Sequence, residues 1–439
     1  MAGKGKRAVV VKRMKHVLMI AFHYPPFAGG SGIHRTLKFS EYLPQHGWKP
    51  IVLTTSPAAY PNVENGSGRG VPNTALVERA FALDTAKHLS VGGSHLRWMA
   101  LPDRWISWWP AGVLKGLRLI RRYRPEVIWS TYPIATAQLI GLTLHRLTDI
   151  PWVADFRDPM TEKDPVTGEE FPSDPSVRRV NGWIERPTIE HCSRAVFTTP
   201  GTLAMYAEHY PHLSSSRWAV VPNGYDEEDF AGAEQRRIRR PASCEERIVL
   251  VHSGVLYPDA RDPSSFFGAV ADLKRGGKIG SSKLRIILRA SGYEEQYREQ
   301  LHKLNIDDII FLEPAVPYHN ALAEMLDADG LLVFQSGNCN WQIPAKAYEC
   351  LRARRPIFAL TDPAGDTANV LRSAGIDTIV PLDSKEKIGR GLLDFLDRIR
   401  AREAPTANAA EIQKHSRRSR TAELAQLLDS VAQAAKISS

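Results

Sequence analysis

Cysteine is scarce in this chain. Four residues among 439 (Cys192, Cys244, Cys339 and Cys350) fit no metal-ligand spacing and are too few to staple a fold, which points to a reducing, cytoplasmic setting. Long apolar runs are missing as well. No stretch reaches the roughly 18 to 20 residues that span a bilayer, and the most apolar long window, Ile134 to Leu147, is broken by Gln138, His145 and Arg146. The short run Val17 to Phe22 leads straight into a Pro/Gly loop without a small-residue cleavage site, so it reads as a buried strand and not as a signal peptide. The histidines form no metal-ligand set. No reader motif accompanies the basic residues, which argues against nucleic acid as a partner.

What is present is an ordinary globular balance, with 43% hydrophobic and 24% charged residues. A chain of 439 residues exceeds what one core usually supports, so two domains are expected. Lys and Arg outnumber Asp and Glu, for a net charge of +9. The excess favours a phosphate-rich substrate or an anionic membrane surface. It is concentrated in Lys4, Lys6, Arg7, Lys12, Arg13 and Lys15 and again in residues 115 to 124. The second block follows Arg104-Trp-Ile-Ser-Trp-Trp-Pro110, so this segment either lies on an anionic bilayer or packs its tryptophans in a core.

Strand and helix patterns alternate. Short apolar runs at residues 16–22, 50–54, 126–130, 151–155, 195–199 and 219–222 read as buried parallel strands separated by helices, the first helix covering about Ile33 to Leu43. After a polar, arginine-rich stretch the pattern restarts with strands at 247–252, 285–288, 309–312, 330–334 and 356–360. The predicted fold is α/β, with two Rossmann-like domains at 1–222 and 247–400 joined by a linker at 223–246. Residues 401–439 supply a second linker and a last helix, about 411–434, that crosses back to the first domain.

In open α/β sheets ligands bind beyond the carboxyl ends of the strands. The loop His23-Tyr-Pro-Pro-Phe-Ala-Gly-Gly-Ser-Gly32 stands there, and Gly29 and Gly30 let backbone N–H groups approach an anion at a helix N-terminus. Asp155 and Asp158 flank Arg157 after another strand. They either orient or deprotonate an acceptor hydroxyl or form a buried ion pair. In the second half, Gly254 ends a strand and Arg261 follows in its loop, a forked donor for a diphosphate or else a surface partner of Asp262 or Asp259. Asp327-Ala-Asp329 precedes its strand, at the wrong end of the sheet for a metal site, and reads as a structural helix end.

Four segments, His23-Tyr-Pro-Pro with Gly29-Gly30, Asp155-Phe-Arg-Asp158, Pro222-Asn-Gly-Tyr-Asp226 and Ile343-Pro-Ala-Lys-Ala-Tyr-Glu349, resemble the family 4 glycosyltransferases of the GT-B fold. They occur in that family's order, and the likeness covers about residues 16 to 430. The resemblance implies a retaining glycosyltransferase of bacterial cell-surface polysaccharide type. Glu349 would accept the ribose hydroxyls, Lys346 and Arg261 would hold the leaving diphosphate, and Asn340 and Gln342 would touch the donor sugar. No cofactor or metal is implied. The partners implied are a nucleoside-diphosphate sugar and a sugar or lipid-linked acceptor, at the inner face of a membrane or free in the cytoplasm. Two positions depart from the pattern. Trp341 stands where the first glutamate of Glu-x7-Glu belongs, and Val255 stands where an arginine usually follows the glycine. A rewired donor site is therefore expected. The alternatives are a non-catalytic nucleotide-sugar-binding protein and a nucleotide-sugar epimerase of the same fold.

Overall fold

The computed structural model describes residues 14–28, 32–63, 70–90, 92, 94–163, 168–237 and 247–438. The first sheet uses β1 (Lys15–Ile20), β2 (Trp48–Thr55), β3 (Leu76–Ala80), β4 (Val127–Thr131) and β5 (Trp152–Phe156). A small hairpin, β6 (Glu162–Lys163) and β7 (Glu170–Phe171), precedes β8 (Arg194–Phe197) and β9 (Trp218–Val220). Its order is β3-β2-β1-β4-β5-β8-β9, and every neighbouring pair is parallel. The continuous apolar run of β1 follows from burial on both faces. Leu18 and Ile20 join the core under the helices Trp108–Tyr123, Ala135–Thr148 and Pro175–His191, while Val17 and Met19 join the opposite core.

The second sheet contains β10 (Ile248–Ser253), β11 (Leu284–Arg289), β12 (Ile310–Glu313), β13 (Gly330–Phe334), β14 (Ile357–Leu360) and β15 (Ile379–Val380). Its order, β12-β11-β10-β13-β14-β15, is again parallel throughout. Leu250 faces the core shared with Phe266, Phe395 and Leu396, whereas its neighbour Val251 faces the core shared with Leu322 and Leu351. Each sheet thus has helices on both faces, so the expected pair of Rossmann-like domains is present.

The chain then returns. Helix Arg417–Ser438 buries Leu424, Ala425, Leu428, Val431 and Ala432 in the first domain's core beside Leu37, Phe39 and Trp129. Lys15 pairs with Asp429 at 2.5 Å and Lys436 with Glu126 at 2.8 Å, which fixes its register on that domain. The single last helix expected from the sequence is in fact two, Ala409–Lys414 and Arg417–Ser438. Between them Tyr225 bridges Ser416, with Tyr225 N–H donating to the His415 carbonyl and Arg417 N–H to the Tyr225 carbonyl. That exchange takes the backbone out of the helix. It also explains Gly224, where a Cβ would lie 2.3 Å from the His415 oxygen.

Trp105 and Trp108 are core residues. Trp108 is fully buried, and Trp105 packs against Phe22 and donates to the Ala59 carbonyl at 2.9 Å. The tryptophans available to solvent in this region are Trp98 and Trp109. Of the cationic blocks, the N-terminal one lies outside the described residues except for Lys15.

Candidate active site in the interdomain cleft

The carboxyl ends of β1, β4 and β5 deliver the first half of the site. Asp155, near the end of β5, is fully buried. Its carboxylate takes a forked pair from Arg35 (2.9 and 2.6 Å) and a hydrogen bond from the Thr131 hydroxyl (2.8 Å). Arg35 also donates to the Pro222 carbonyl at 3.1 Å, which ties the first helix, Gly32–Tyr42, to the segment leaving β9. Both oxygens of Asp155 are therefore committed, and it cannot touch an acceptor hydroxyl. The expectation of a substrate-facing Asp155 is corrected, and its ion-pair partner is Arg35, not Arg157.

Arg157 donates to the Gly32 carbonyl at 2.7 Å, and its Nε has no partner. Burial lowers its guanidinium pKa, offset in part by Asp158. Asp158 itself accepts no hydrogen bond from a described residue. Its side chain reaches water yet is hemmed in by protein, and burial raises its carboxyl above the ordinary range while Arg157 opposes the rise. Unlike Asp155, it is left open to solvent. His23, enclosed beside Arg157, is pushed down to about 4 by burial first and that cation second, and so is neutral at pH 7. Gly29 and Gly30 lie outside the described residues.

The second half is built on helix Ala345–Ala353, which starts after the loop that leaves β13. Glu349 is buried. Its Oε1 accepts from the Tyr318 hydroxyl at 2.8 Å and its Oε2 pairs with Lys346 Nζ at 2.7 Å, one helical turn away. Lys346 also lies over the Tyr318 ring, and its stem passes 3.9 Å from where a Cβ of Gly254 would stand. Gly254 has φ +140, a backbone form that side chains rarely adopt, and this keeps the end of β10 open beneath the lysine. Arg261 makes no ion pair with Asp259 or Asp262. It reaches back to Gln335 (3.2 Å) and to the Val255 carbonyl (3.4 Å), at the ends of β13 and β10. Burial lowers its pKa.

The two sugar-facing candidates separate. The Gln342 amide group has no hydrogen-bond partner among the described residues, while its carbonyl accepts from Thr367 at 3.0 Å. Asn340 ties the loop together, with Nδ2 bonded to Asp362 at 2.5 Å and its backbone carbonyl accepting the Asp366 N–H at 2.8 Å, while its side-chain Oδ1 has no partner. A contact of Asn340 with a sugar would have to use that Oδ1, since its Nδ2 is bonded within the loop. Asn340 thus knots the loop that carries Gln342.

The two halves also grip each other. The Trp341 carbonyl accepts from the hydroxyls of Thr199 and Thr202 (the latter at 3.1 Å), and its indole N–H donates to Glu162 at 2.5 Å. Asp366 Oδ2 accepts the Gly201 N–H at 2.7 Å, so a carboxylate of the second domain sits at the N-terminus of helix Pro200–His209 in the first. A Cβ on Gly201 would lie 2.5 Å from the Trp341 Cβ. Stacking of His34 on Tyr318, with centroids 5.5 Å apart, adds a second bridge. Arg35, Tyr318, Thr199, Gly201 and Asp366 all escaped sequence reasoning. Thr199-Pro-Gly was the one readable signal, a capping residue and a helix start directly after β8.

Residues 30–224 match the family model described as a glycosyl transferase 4-like domain. No curated protein sequence matches the chain. Among solved structures, the sucrose-phosphate synthase of Thermosynechococcus elongatus is similar at a TM-score of 0.67 with 14% identity, over 96% of this chain and 100% of that one. An α,α-trehalose-phosphate synthase of Burkholderia xenovorans, solved with glucose 6-phosphate, is similar at 0.61 with 14% identity, over 94% and 100%. WaaG, a glycosyltransferase of lipopolysaccharide biosynthesis, is similar at 0.56 with 13% identity, over 94% and 98%. The fold is thus the GT-B arrangement of two Rossmann-like domains. With a glycosyl transferase 4-like domain in its first half, the protein falls in the glycosyltransferase class.

Proposed function

We propose that the protein moves a sugar from a nucleoside-diphosphate sugar to an acceptor hydroxyl with retention of configuration. The observation that carries this reading is the buried Glu349, paired with Lys346 beyond the carboxyl edge of the second sheet, where Arg261 also reaches the ends of β13 and β10, with Arg157 and Asp158 beyond the carboxyl edge of the first. A carboxylate there suits ribose hydroxyls. The cations suit the charge that grows on a departing diphosphate, and they act strongly in an enclosed site. Asp158 is the group placed to orient the acceptor hydroxyl. These charges do the work that a metal does elsewhere, so activity is expected to survive chelator.

The acceptor proposed is a sugar, free or lipid-linked, of cell-surface glycan assembly. Among the described residues no helix is long and apolar enough to cross a membrane. An exposed apolar and basic face on the first domain's outer helices, including Trp109, Leu114, Arg118 and Arg121, supports reversible contact with an anionic bilayer. The test is a panel of nucleotide sugars, read first by thermal stabilisation and then by product analysis with and without acceptor sugars. Transfer with retained anomeric configuration is expected. Epimerised donor without acceptor, or binding with neither transfer nor donor hydrolysis, would sink the proposal.

A further inference from the structure

Arg417 opens the crossing helix, and its backbone N–H is spent on the Tyr225 carbonyl at 2.7 Å. Its side chain is 7% exposed, yet its guanidinium makes no hydrogen bond and no ion pair with any described residue. None of its nitrogens is among the sealed, unpartnered atoms, so each keeps a narrow opening onto solvent space. That space is the cleft, because the groups within electrostatic reach of Arg417 are Tyr318, Glu349, Asp226 and Asp229. Glu349 is already engaged by Tyr318 and Lys346. Asp226 is engaged by Lys38 at 3.2 Å and by the Tyr42 hydroxyl at 2.9 Å.

A second enclosed guanidinium stands nearby. Arg157 spends one N–H on Gly32 and leaves Nε unpartnered. The two are linked by a short path. Gly32 heads the helix whose Arg35 holds the Pro222 carbonyl, and two residues on, a Cβ at Gly224 would lie 3.5 Å from the backbone nitrogen of Arg417. Each cation lies within the other's electrostatic reach or that of its neighbours, and burial lowers the pKa of both. Enclosing two like charges with so little compensation costs stability, since Arg417 gains no hydrogen bond and Arg157 gains only the Gly32 carbonyl, with Asp158 nearby. Such a cost persists at sites where a ligand supplies the missing charge.

We propose that Arg157 and Arg417 form a paired-guanidinium subsite for a phosphate group, on the first-domain side of the cleft and facing Lys346 and Arg261. Guanidinium forks match phosphate oxygens in geometry as well as charge. The phosphate has two sources, the donor's diphosphate or a phosphate monoester on the acceptor sugar. Assigning it to either substrate rests on the transferase reading, whereas anion binding does not.

The experiment is calorimetry on the full chain at low salt with two probes, inorganic pyrophosphate and glucose 6-phosphate, for wild type, Arg157→Gln, Arg417→Gln and Arg417→Lys. At least one probe binds wild type, and each glutamine variant weakens it about tenfold or more, with Arg417→Lys between. Dependence of pyrophosphate alone on the arginines assigns the donor. Dependence of glucose 6-phosphate, with both probes binding together, assigns the acceptor. Thermal melts of Arg417→Gln without anion supply a readout that a structural role would reverse, because removing an unpaired enclosed cation leaves Tm unchanged or raised, whereas Arg157→Gln also loses its bond to Gly32. Wild type that binds neither probe, variants that bind both as wild type does, or a lowered Tm in Arg417→Gln overturns the subsite. Failure of the transferase reading looks different, with anion binding intact and no transfer from any nucleotide sugar.

Discussion

The two halves of the cleft spend charge in opposite ways. In the first domain the principal ion pair, Arg35 with Asp155, is sealed, both partners being almost wholly buried and joined by a fork. Lys38 and Asp226 are likewise enclosed. These pairs hold strand ends and helices in register, and they leave Arg157 and Asp158 as the groups still open to a substrate. In the second domain the pair at the centre is Lys346 with Glu349, and the lysine stays partly accessible. A ligand can compete for that pair, but not for Arg35 and Asp155. The sealed pair is therefore suited to holding the fold, and the proposed donor site falls on the accessible one.

The largest effect expected falls on the sealed pair. Asp155→Ala strands Arg35 in the core, and breaking a buried pair by removing one partner costs about 3–5 kcal/mol. Urea unfolding should show that loss. The same protein, if it folds at low temperature, should bind nucleotide sugar nearly as wild type does. A stability change within error would mean that water reaches Arg35. Glu349→Ala should do the reverse. Donor affinity should fall about ten- to a hundredfold, the worth of a charge-assisted hydrogen bond of roughly 1.5–3 kcal/mol, while the fold persists. If Glu349→Ala melts the protein as Asp155→Ala does, the contrast between the two halves is lost.

That contrast bears on what a sequence can tell. Strands were legible wherever burial on both faces makes a continuous apolar run, as in β1, β10 and β13. The edge strand β3, with Glu78 and Arg79 inside it, gave no such run and went unread, and β15 is too short to give one. In the proposed site Glu349 and Lys346 stood out in the sequence because they lie one helical turn apart, and Arg261 because it follows a strand end, although its partner Gln335 is 74 residues away. The partner of Asp155 lies 120 residues away, and Arg417 comes from the far end of the chain. Only the topology brings them to the cleft. Trp341 was legible as a departure but not as a contact, since Thr199, Thr202 and Glu162 meet it across the domain boundary.

A smaller effect comes from one histidine in each half. Burial pushes both His23 and His252 from 6.5 down to about 4. Between those values the unfolded chain binds protons that the folded chain refuses, so stability rises with pH across this window and falls as pH drops from 6.5 toward 4. His252 donates Nδ1–H to the Leu332 carbonyl at 3.0 Å in its neutral form, and an uncharged amide can take its place with less penalty at low pH. Urea midpoints measured from pH 7 to 4.5 should decline, and His252→Gln and His23→Gln should each flatten the decline by about one proton. A midpoint independent of pH in wild type would show that both rings are already protonated or freely solvated in the folded state.

The smallest effect concerns the outer surfaces, where the two domains differ again. The exposed large apolar side chains of the first domain include Trp98, Trp109, Leu114, Leu147 and Trp183, whereas the second sheet's domain offers Tyr257 and Tyr293 among the described residues. The helices Trp108–Tyr123, Ala135–Thr148 and Pro175–His191 pack side by side there, with Arg118, Arg121, Arg122, Arg146 and Arg186 on the water side. Each cation close to an anionic bilayer contributes about 1 kcal/mol, within a Debye length of roughly 8 Å at physiological salt. Co-sedimentation with vesicles should therefore require anionic lipid and weaken as salt rises. Trp98→Ser with Trp109→Ser should weaken it further, by removing apolar area from the contact without touching the core. Trp108→Ser is the control, since that side chain is fully buried and its loss should cost stability and not binding. If the double serine variant sediments as wild type does, the contact is electrostatic alone and the exposed tryptophans serve another surface. If wild type ignores anionic vesicles at low salt, the lipid-linked acceptor loses its support and a soluble sugar acceptor becomes the one to test.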